Sequence, residues 1–174
     1  MINIFLDMDG VVCDFTKATY SKMPKFDSKI FSDLVFNDKI FEDLEWQENG
    51  QDFYNYLLTL QTPNINIEIL SSLGSPGDIL RQQVIANQKT TWLLKNDINI
   101  HRNFTVHKGK KKLFATPNSI LIDDTAQNIY DFQEMGGFAL YYDHTKPNDN
   151  KTIIKLLIQQ ALARQKAGIY GGLN

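Results

Sequence analysis

Five short apolar runs, each ending in polar residues, are the feature that most constrains the fold of this chain. The runs INIFL (2–6), INIEIL (65–70) and SILI (119–122) are rich in isoleucine, and FTV (104–106) and FALYY (138–142) are weaker examples. Short continuous apolar runs are typical of strands that are covered on both faces, as in a parallel sheet. We therefore predict buried strands at these positions.

Helical patterns separate the predicted strands. Residues 78–96 predict the clearest helix, with Asp78 as its N-cap, and residues 125–137 predict a shorter helix that begins after Thr125. Residues 150–166 predict a long amphipathic helix. The apolar positions of the first helix are Ile79, Val84 or Ile85, Trp92 and Leu93. Strands that alternate with helices indicate an α/β fold, here a Rossmann-like doubly wound parallel sheet.

One segment interrupts this alternation. Residues 15–63 contain several helical patterns and no convincing strand. We interpret this segment as a small helical cap, inserted after the first strand and packed over the carboxyl edge of the sheet. The predicted core then comprises residues 1–14 and 64–174, and GIYGGLN (168–174) is expected to form a loose tail.

Composition limits the classes of function. The chain has 174 residues, 43% of them hydrophobic and 22% charged, which is enough for one core without disulfide bonds. The formal charge of −2 argues against stable binding of nucleic acid. The single cysteine, Cys13, is expected to be buried and to serve packing only. Because no signal peptide or membrane span is recognisable, we expect a cytoplasmic location and no membrane association.

Polar side chains follow several predicted strands. Because ligands bind outside the carboxyl ends of the strands in open α/β sheets, we expect these side chains to converge. They are Asp7 and Asp9, Ser71 and Ser72, Lys110, Lys111 and Lys112, and Asp123 and Asp124. Taken alone, DMDG (7–10) is equally consistent with a simple turn. Four converging carboxylates, however, favour a hard divalent ion such as Mg²⁺, and hydroxyls beside a lysine favour bound phosphate.

These motifs resemble those of a known superfamily. DMDGVVCDF (7–15), ILSS (69–72), the lysine cluster and ILIDD (120–124), in this order, are similar to the four motifs of the haloacid-dehalogenase-like phosphohydrolases. Together with FEDLEW (41–46) and the helix that contains QKTTW (88–92), they most resemble the 5′(3′)-deoxyribonucleotidase family, including its short bacterial and phage-type members. The resemblance covers residues 2 to about 143.

The resemblance implies specific roles. Asp7 would be the nucleophile that forms an aspartyl-phosphate, and Asp9 would be the general acid and base. Ser71 would hold a phosphoryl oxygen, with Ser72 assisting. The family spacing favours Lys111 as the site lysine, with Lys110 and Lys112 as the alternatives. Mg²⁺ would bind Asp7, the backbone carbonyl of Asp9, and the Asp123–Asp124 pair, of which Asp124 is the preferred direct ligand.

The predicted substrate follows from the same resemblance. Phe15 is expected to stack on a nucleobase, and Phe41 and Trp46 are weaker candidates whose alternative is packing within the cap. We expect none of His101, His107 and His144 to bind metal. The predicted substrate is a small phosphomonoester, in particular a deoxynucleotide. A polynucleotide 3′-phosphate, a sugar phosphate and a non-catalytic nucleotide-binding module are the alternatives, and a homodimer is left open.

Overall fold

The computed structural model describes residues 1–20 and 22–168, and its centre is a five-stranded parallel sheet. The strand order is β3-β2-β1-β4-β5. The strands are β1 (Ile2–Leu6), β2 (Ile65–Ser72), β3 (Arg102–Thr105), β4 (Ser119–Asp123) and β5 (Phe138–Tyr141). Every neighbouring pair in this order is parallel. The predicted α/β fold with a parallel sheet is therefore confirmed.

Helices connect the strands. They are α1 (Phe15–Tyr20), α2 (Ser28–Phe36), α3 (Gly50–Leu60), α4 (Ile79–Lys95), α5 (Ala126–Glu134) and α6 (Pro147–Lys166), with a 3₁₀ helix at Lys108–Phe114. Asp78 caps α4 as predicted, since its carboxylate accepts a hydrogen bond of 2.9 Å from Arg81 N. Thr125 precedes α5 but makes no side-chain capping bond. Ile79 is the first residue of α4, and its side chain is 71% exposed there.

The two faces of the sheet have separate apolar cores. Alternate residues of β1 point to opposite faces, so Ile4 belongs to the larger core and Phe5 to the smaller one. The larger core includes buried side chains of α3, α4 and α6, whereas Phe132 of α5 packs into the smaller core. Coverage on both faces explains why β1 and β4 are rich in apolar residues.

Three helices lie between β1 and β2, where the cap is predicted. The last of them, α3, contacts β2 and α6, and Tyr56 O–H donates to the carbonyl of Lys151 at 3.3 Å. Its residues Phe53 and Leu57 are part of the larger core. This packing favours a cap that ends before α3, shorter than the predicted 15–63. The domain boundary stays a proposal.

The order of the strands determines where a site forms. The chain passes from β1 outward through β2 to β3, then crosses to β4 on the other side of β1. The point at which the topology reverses therefore lies between β1 and β4, and ligands of such sheets bind outside the carboxyl ends at that point. The predicted tail lies almost wholly outside the described residues. Within residues 1–20 and 22–168, no helix has the length and apolar character required to cross a bilayer.

Candidate active site

Asp7 and Asp123 meet at the reversal point of the sheet. Asp7 directly follows β1, and Asp123 is the last residue of β4. Both are buried, at 6% and 0% exposure, and one lysine forms ion pairs with both. Lys111 Nζ lies 2.6 Å from Asp7 Oδ2 and 2.7 Å from Asp123 Oδ2. Since Lys111 is itself only 2% exposed, these three side chains form a buried charged cluster.

Lys111 is the lysine that the structure brings into this cluster. It lies in the 3₁₀ helix that follows β3, and its neighbour Lys110 points to solvent. Burial works against the charged ammonium, but the carboxylates of Asp7 and Asp123 raise the pKa of Lys111 above its ordinary value. Lys111 therefore stays charged at neutral pH.

Asp123 and Asp124 have perturbed acidities. Burial is the main cause and the Asp7 carboxylate adds to it, so that the pKa of Asp123 and that of Asp124 are each raised to about 6. Lys111 opposes both shifts. A single lysine is thus insufficient to neutralise three carboxylates, and the cluster carries excess negative charge when all of them are ionised.

The two aspartates differ in their hydrogen bonds. Asp123 accepts from Lys111 Nζ, from Thr125 N at 2.8 Å, and from Asn128 Nδ2 at 3.0 and 2.9 Å. Asp124 accepts only a long bond of 3.4 Å, from Thr125 Oγ1, among the side-chain contacts of the described residues. The carboxylate oxygens of Asp124 are therefore more available to a metal ion than those of Asp123.

A metal ion fits this group of carboxylates. Asp7, Asp123 and Asp124 each offer an oxygen, and these three atoms lie within 4.8 Å of one another. Oxygen donors of this kind suit a hard cation such as Mg²⁺, and the raised pKa values of Asp123 and Asp124 indicate a local need for positive charge. The residues present thus fit the predicted cofactor.

Asp9 lies in a tight turn after β1. The backbone N–H groups of Val12 and Cys13 donate to the carbonyl of Met8 at 2.9 and 3.0 Å, and Gly10 has a φ of 82°. This turn leaves the Asp9 side chain 30% exposed, in contrast to Asp7. Cys13 is buried as predicted, and its thiol donates to Asp9 Oδ1 at 3.6 Å. Burial, followed by the charge of Asp9, raises the pKa of Cys13 well above its ordinary value, so Cys13 is a neutral thiol.

A second buried lysine was not predicted. Lys89 of α4 is 0% exposed, and its Nζ donates to Asp9 Oδ2 at 2.6 Å, to Ser71 Oγ at 2.8 Å and to the carbonyl of Ser72 at 2.9 Å. The sequence does contain a signal for it, because Lys89 lies four residues after Ile85 and three before Trp92, on the buried face of α4. A lysine at that spacing indicates a buried charge that needs a partner.

The two predicted serines have different environments. Ser71 is 0% exposed and contacts Lys89. Ser72 is half-buried and lines the cavity above the sheet, and its Oγ accepts from Gly74 N at 3.1 Å.

This cavity has a volume of about 850 Å³. Its polar lining includes Asp7, Asp9, Ser72, His107, Lys108, Lys111, Asp124 and Asn128. Its apolar lining includes Phe15, Met23, Phe26, Phe31, Phe41, Leu73 and Pro76. A charged region beside an aromatic one suits a ligand that has an anionic group and a flat apolar group.

Of the three aromatic residues predicted to bind substrate, two line the cavity and one does not. Phe15 and Phe41 both line the cavity and stack on each other, with ring centroids 5.0 Å apart and an interplanar angle of 3°. Trp46 is not part of the lining; it packs edge-on against Trp92, with centroids 5.2 Å apart. In contrast, Phe26 lines the cavity and is 74% exposed, although it was not predicted. The structure thus favours packing for Trp46.

One comparison with solved structures agrees with the fold. The sequence matches no known family model and no curated protein. The chain is similar to an uncharacterized protein from Corynebacterium glutamicum, with 14% identity and a TM-score of 0.50 over 91% of this chain and 96% of that chain.

Two further solved structures are similar over most of their length. One is D,D-heptose 1,7-bisphosphate phosphatase from Burkholderia thailandensis, with 8% identity, a TM-score of 0.47 and coverage of 88% of this chain and 85% of that chain. The other is a haloacid dehalogenase-like family hydrolase from Streptococcus pneumoniae, with 13% identity, a TM-score of 0.44 and coverage of 86% and 90%.

Proposed function

We propose that this chain is a Mg²⁺-dependent phosphomonoesterase of the haloacid-dehalogenase type, which hydrolyses nucleoside monophosphates, in particular deoxyribonucleotides, through an aspartyl-phosphate. The observation that carries the proposal is the buried cluster of Asp7, Lys111, Asp123 and Asp124 at the reversal point of the sheet. A carboxylate that is held by a lysine beside further oxygen ligands is suited to attack a phosphate, whose negative charge must be offset.

In this mechanism Asp7 attacks phosphorus. A bond forms between the Asp7 carboxylate and phosphorus, the bond to the leaving oxygen breaks, and Asp9 supplies the proton that this oxygen needs. Water then attacks the aspartyl-phosphate while Asp9 takes its proton, which releases inorganic phosphate and restores Asp7. The ion pair of 2.6 Å with Lys111 holds the Asp7 carboxylate in place for both steps.

Other residues would bind the substrate and the metal. Ser71 and Ser72 would hold phosphoryl oxygens, and Asp7, the Asp9 carbonyl and Asp124 would ligate Mg²⁺, with Asp123 behind them. The saturated hydrogen bonds of Asp123 support Asp124 as the direct ligand. When bound, Mg²⁺ would neutralise the carboxylates and the transferring phosphoryl group.

The apolar side of the cavity supports the proposed substrate class. Phe15 and Phe26 offer aromatic surface within a space of about 850 Å³, and Phe41, which is 4% exposed, stacks on Phe15. Aromatic side chains bind nucleobases by stacking, which a sugar phosphate does not exploit. This lining supports a nucleotide over a sugar phosphate.

A substrate panel tests the proposal. Phosphate release is measured in Mg²⁺ for dTMP, dUMP, a 3′-phosphorylated oligonucleotide and a hexose phosphate. We expect turnover of the deoxynucleotides, its loss in Asp7→Asn, and full activity in Asp52→Asn, which changes an exposed carboxylate outside the cavity. Preferential turnover of the oligonucleotide or of the hexose phosphate would show that the proposed deoxynucleotide substrate is wrong. Nucleotide binding without turnover would indicate a binding module.

A further inference from the structure

The buried ammonium of Lys89 hydrogen-bonds two residues of the candidate site, Asp9 and Ser71. A lysine ammonium has three N–H donors and no acceptor, and Lys89 uses its donors on Asp9 Oδ2, Ser71 Oγ and the carbonyl of Ser72, at 2.6, 2.8 and 2.9 Å. Its Nζ also lies 5.0 Å from the centroid of the Phe41 ring. One fully buried charge therefore connects Asp9, which follows β1, with the two serines at the end of β2.

Stability alone does not account for a charge at this position. Burying an ammonium and a carboxylate costs solvation, so apolar side chains of similar volume often stabilise a protein as well as a buried ion pair does. Lys89 lies between the apolar Ile85 and Trp92 on the buried face of α4, where an apolar residue would satisfy the packing. The charge at position 89 is therefore better explained by its partners than by the core.

The direction of the hydrogen bonds follows from the chemistry of the ammonium. Because Lys89 only donates, Ser71 Oγ must accept from it, which leaves the hydroxyl hydrogen of Ser71 for another acceptor. Within residues 1–20 and 22–168, no protein acceptor for that hydrogen is found among the side-chain hydrogen bonds. Ser71 is 0% exposed and is not part of the cavity lining, but the next residue, Ser72, lines the cavity, so a phosphoryl oxygen bound beside Ser72 would be such an acceptor.

Asp9 is held at both oxygens. Lys89 donates to Oδ2, and the neutral thiol of Cys13 donates to Oδ1 at 3.6 Å. The Asp9 side chain is 30% exposed and would otherwise be free to change rotamer at the tip of its turn.

We infer that Lys89 is a positioning residue of the proposed reaction. It fixes the orientation of Asp9 and directs the hydroxyl of Ser71 toward the phosphoryl group. This inference rests on the proposed function, since it assigns Lys89 to the residues that would transfer the proton and hold the phosphate. Misplacing either group lowers the rate of the chemical step, while binding of the rest of the substrate through the apolar lining is preserved.

Kinetics of Lys89→Met test the inference, with Gln88→Met as the matched control. Gln88 is the neighbouring buried polar residue of α4, 3% exposed and not part of the cavity lining. Its side chain hydrogen-bonds the backbone of Phe41 and of Val35. In Lys89→Met we expect kcat on a deoxynucleotide to fall about 10²-fold, with KM nearly unchanged, as for a misplaced reacting group. Gln88→Met should lower thermal stability and leave kcat near the wild-type value.

A double-mutant cycle with Ser71→Ala adds a readout that a structural role would not move. If Lys89 acts through Ser71, the loss caused by Lys89→Met should be smaller in the Ser71→Ala background than in the wild type. Should Lys89→Met not fold, Lys89→Gln is measured by the same criteria.

The outcomes separate the two proposals. An active wild type whose kcat is unchanged in the Lys89 variant would overturn the positioning role and leave the phosphatase intact. Equal losses in both backgrounds would overturn the action of Lys89 through Ser71 and would leave Asp9 as the residue that it positions. A wild type that hydrolyses none of the phosphomonoesters would overturn the proposed function, and the role of Lys89 with it.

Discussion

Gly10 lies so close to Asp124 that a Cβ at position 10 would overlap the Asp124 carboxylate. Gly10 also has a φ of 82°, which side-chain-bearing residues rarely adopt. The glycine of the DMDG motif therefore serves two purposes: it permits the turn that carries Asp9, and it leaves room for the carboxylate with the most available oxygens.

The first prediction concerns Gly10→Ala. The added methyl group would displace Asp124, so we expect weaker Mg²⁺ binding and a marked loss of kcat. The control is Gly136→Ala, because Gly136 has a φ of 87° with open space around the Cβ position. Both variants should lose about 1–3 kcal/mol of unfolding free energy from backbone strain. Titration of Mg²⁺ by phosphatase activity and by thermal shift would measure the difference, and equal Mg²⁺ affinity in the two variants would contradict it.

The second prediction concerns pH and metal. The carboxyl pKa values of Asp123 and Asp124 are raised in the folded protein, from 3.8 to about 6. Groups with raised folded-state pKa values stabilise the fold at low pH and lose that contribution as the pH rises, here between about 4 and about 6. Mg²⁺ would offset the repulsion between the ionised carboxylates.

We therefore expect Mg²⁺ to raise Tm more at about pH 7.5 than at about pH 5. Thermal melts with and without Mg²⁺ at both pH values check this. In Asp124→Asn the metal-free protein should be more stable than the wild type at the higher pH and should respond less to Mg²⁺. A Mg²⁺ effect of the same size at both pH values would be inconsistent with the acidic cluster as the metal site.

The third prediction concerns Phe26. This ring lines the cavity and is 74% exposed, so it contributes little to the core. Loss of a stacking contact costs about 1–3 kcal/mol, so Phe26→Ala should raise KM for a deoxynucleotide about tenfold or more. KM for glycerol phosphate, which has no base, should not change. Leu113→Ala is the control, since Leu113 is 65% exposed outside the cavity lining. Equal effects on both substrates would argue against stacking.

The fourth prediction concerns Trp46, for which the sequence suggested two roles. Because Trp46 packs against Trp92 and Tyr54 and does not line the cavity, Trp46→Ala should lower Tm and leave KM for nucleotides unchanged. Thermal melts and steady-state kinetics on the same preparation separate the effects. A higher KM without loss of stability would restore the predicted substrate contact.

The strands and the carboxylates at their ends were predictable from the sequence for a physical reason. Strands covered on both faces must be continuously apolar, so Ile2–Leu6 and Ser119–Asp123 stand out, and polar residues become visible where they end. The sequence alone thus predicts that Asp7 and Asp123 lie close together. The parallel order that brings them together is confirmed.

Contacts between helices were less predictable. The spacing of Lys89 from Ile85 and Trp92 indicates a buried position on α4, but its partners Asp9 and Ser71 depend on how α4 packs on the sheet, which local sequence does not encode. The same reason explains α3, whose apolar face fits a cap as well as a core helix but contacts β2 and α6 in the structure. Exposure of Phe26 depends likewise on how the segment before α2 is folded.

The central claim is that Asp7 becomes phosphorylated, and trapping the acyl phosphate tests it most directly. The Asp9→Asn variant is mixed with p-nitrophenyl phosphate and Mg²⁺, because this leaving group needs no proton and the variant should hydrolyse the intermediate slowly. Acid quenching, reduction with borohydride and peptide mass spectrometry then show which carboxylate carried the phosphoryl group. We predict conversion of the Asp7 side chain to that of homoserine, dependent on substrate. Release of nitrophenol with Asp7 unmodified, or modification at another aspartate, would contradict the account.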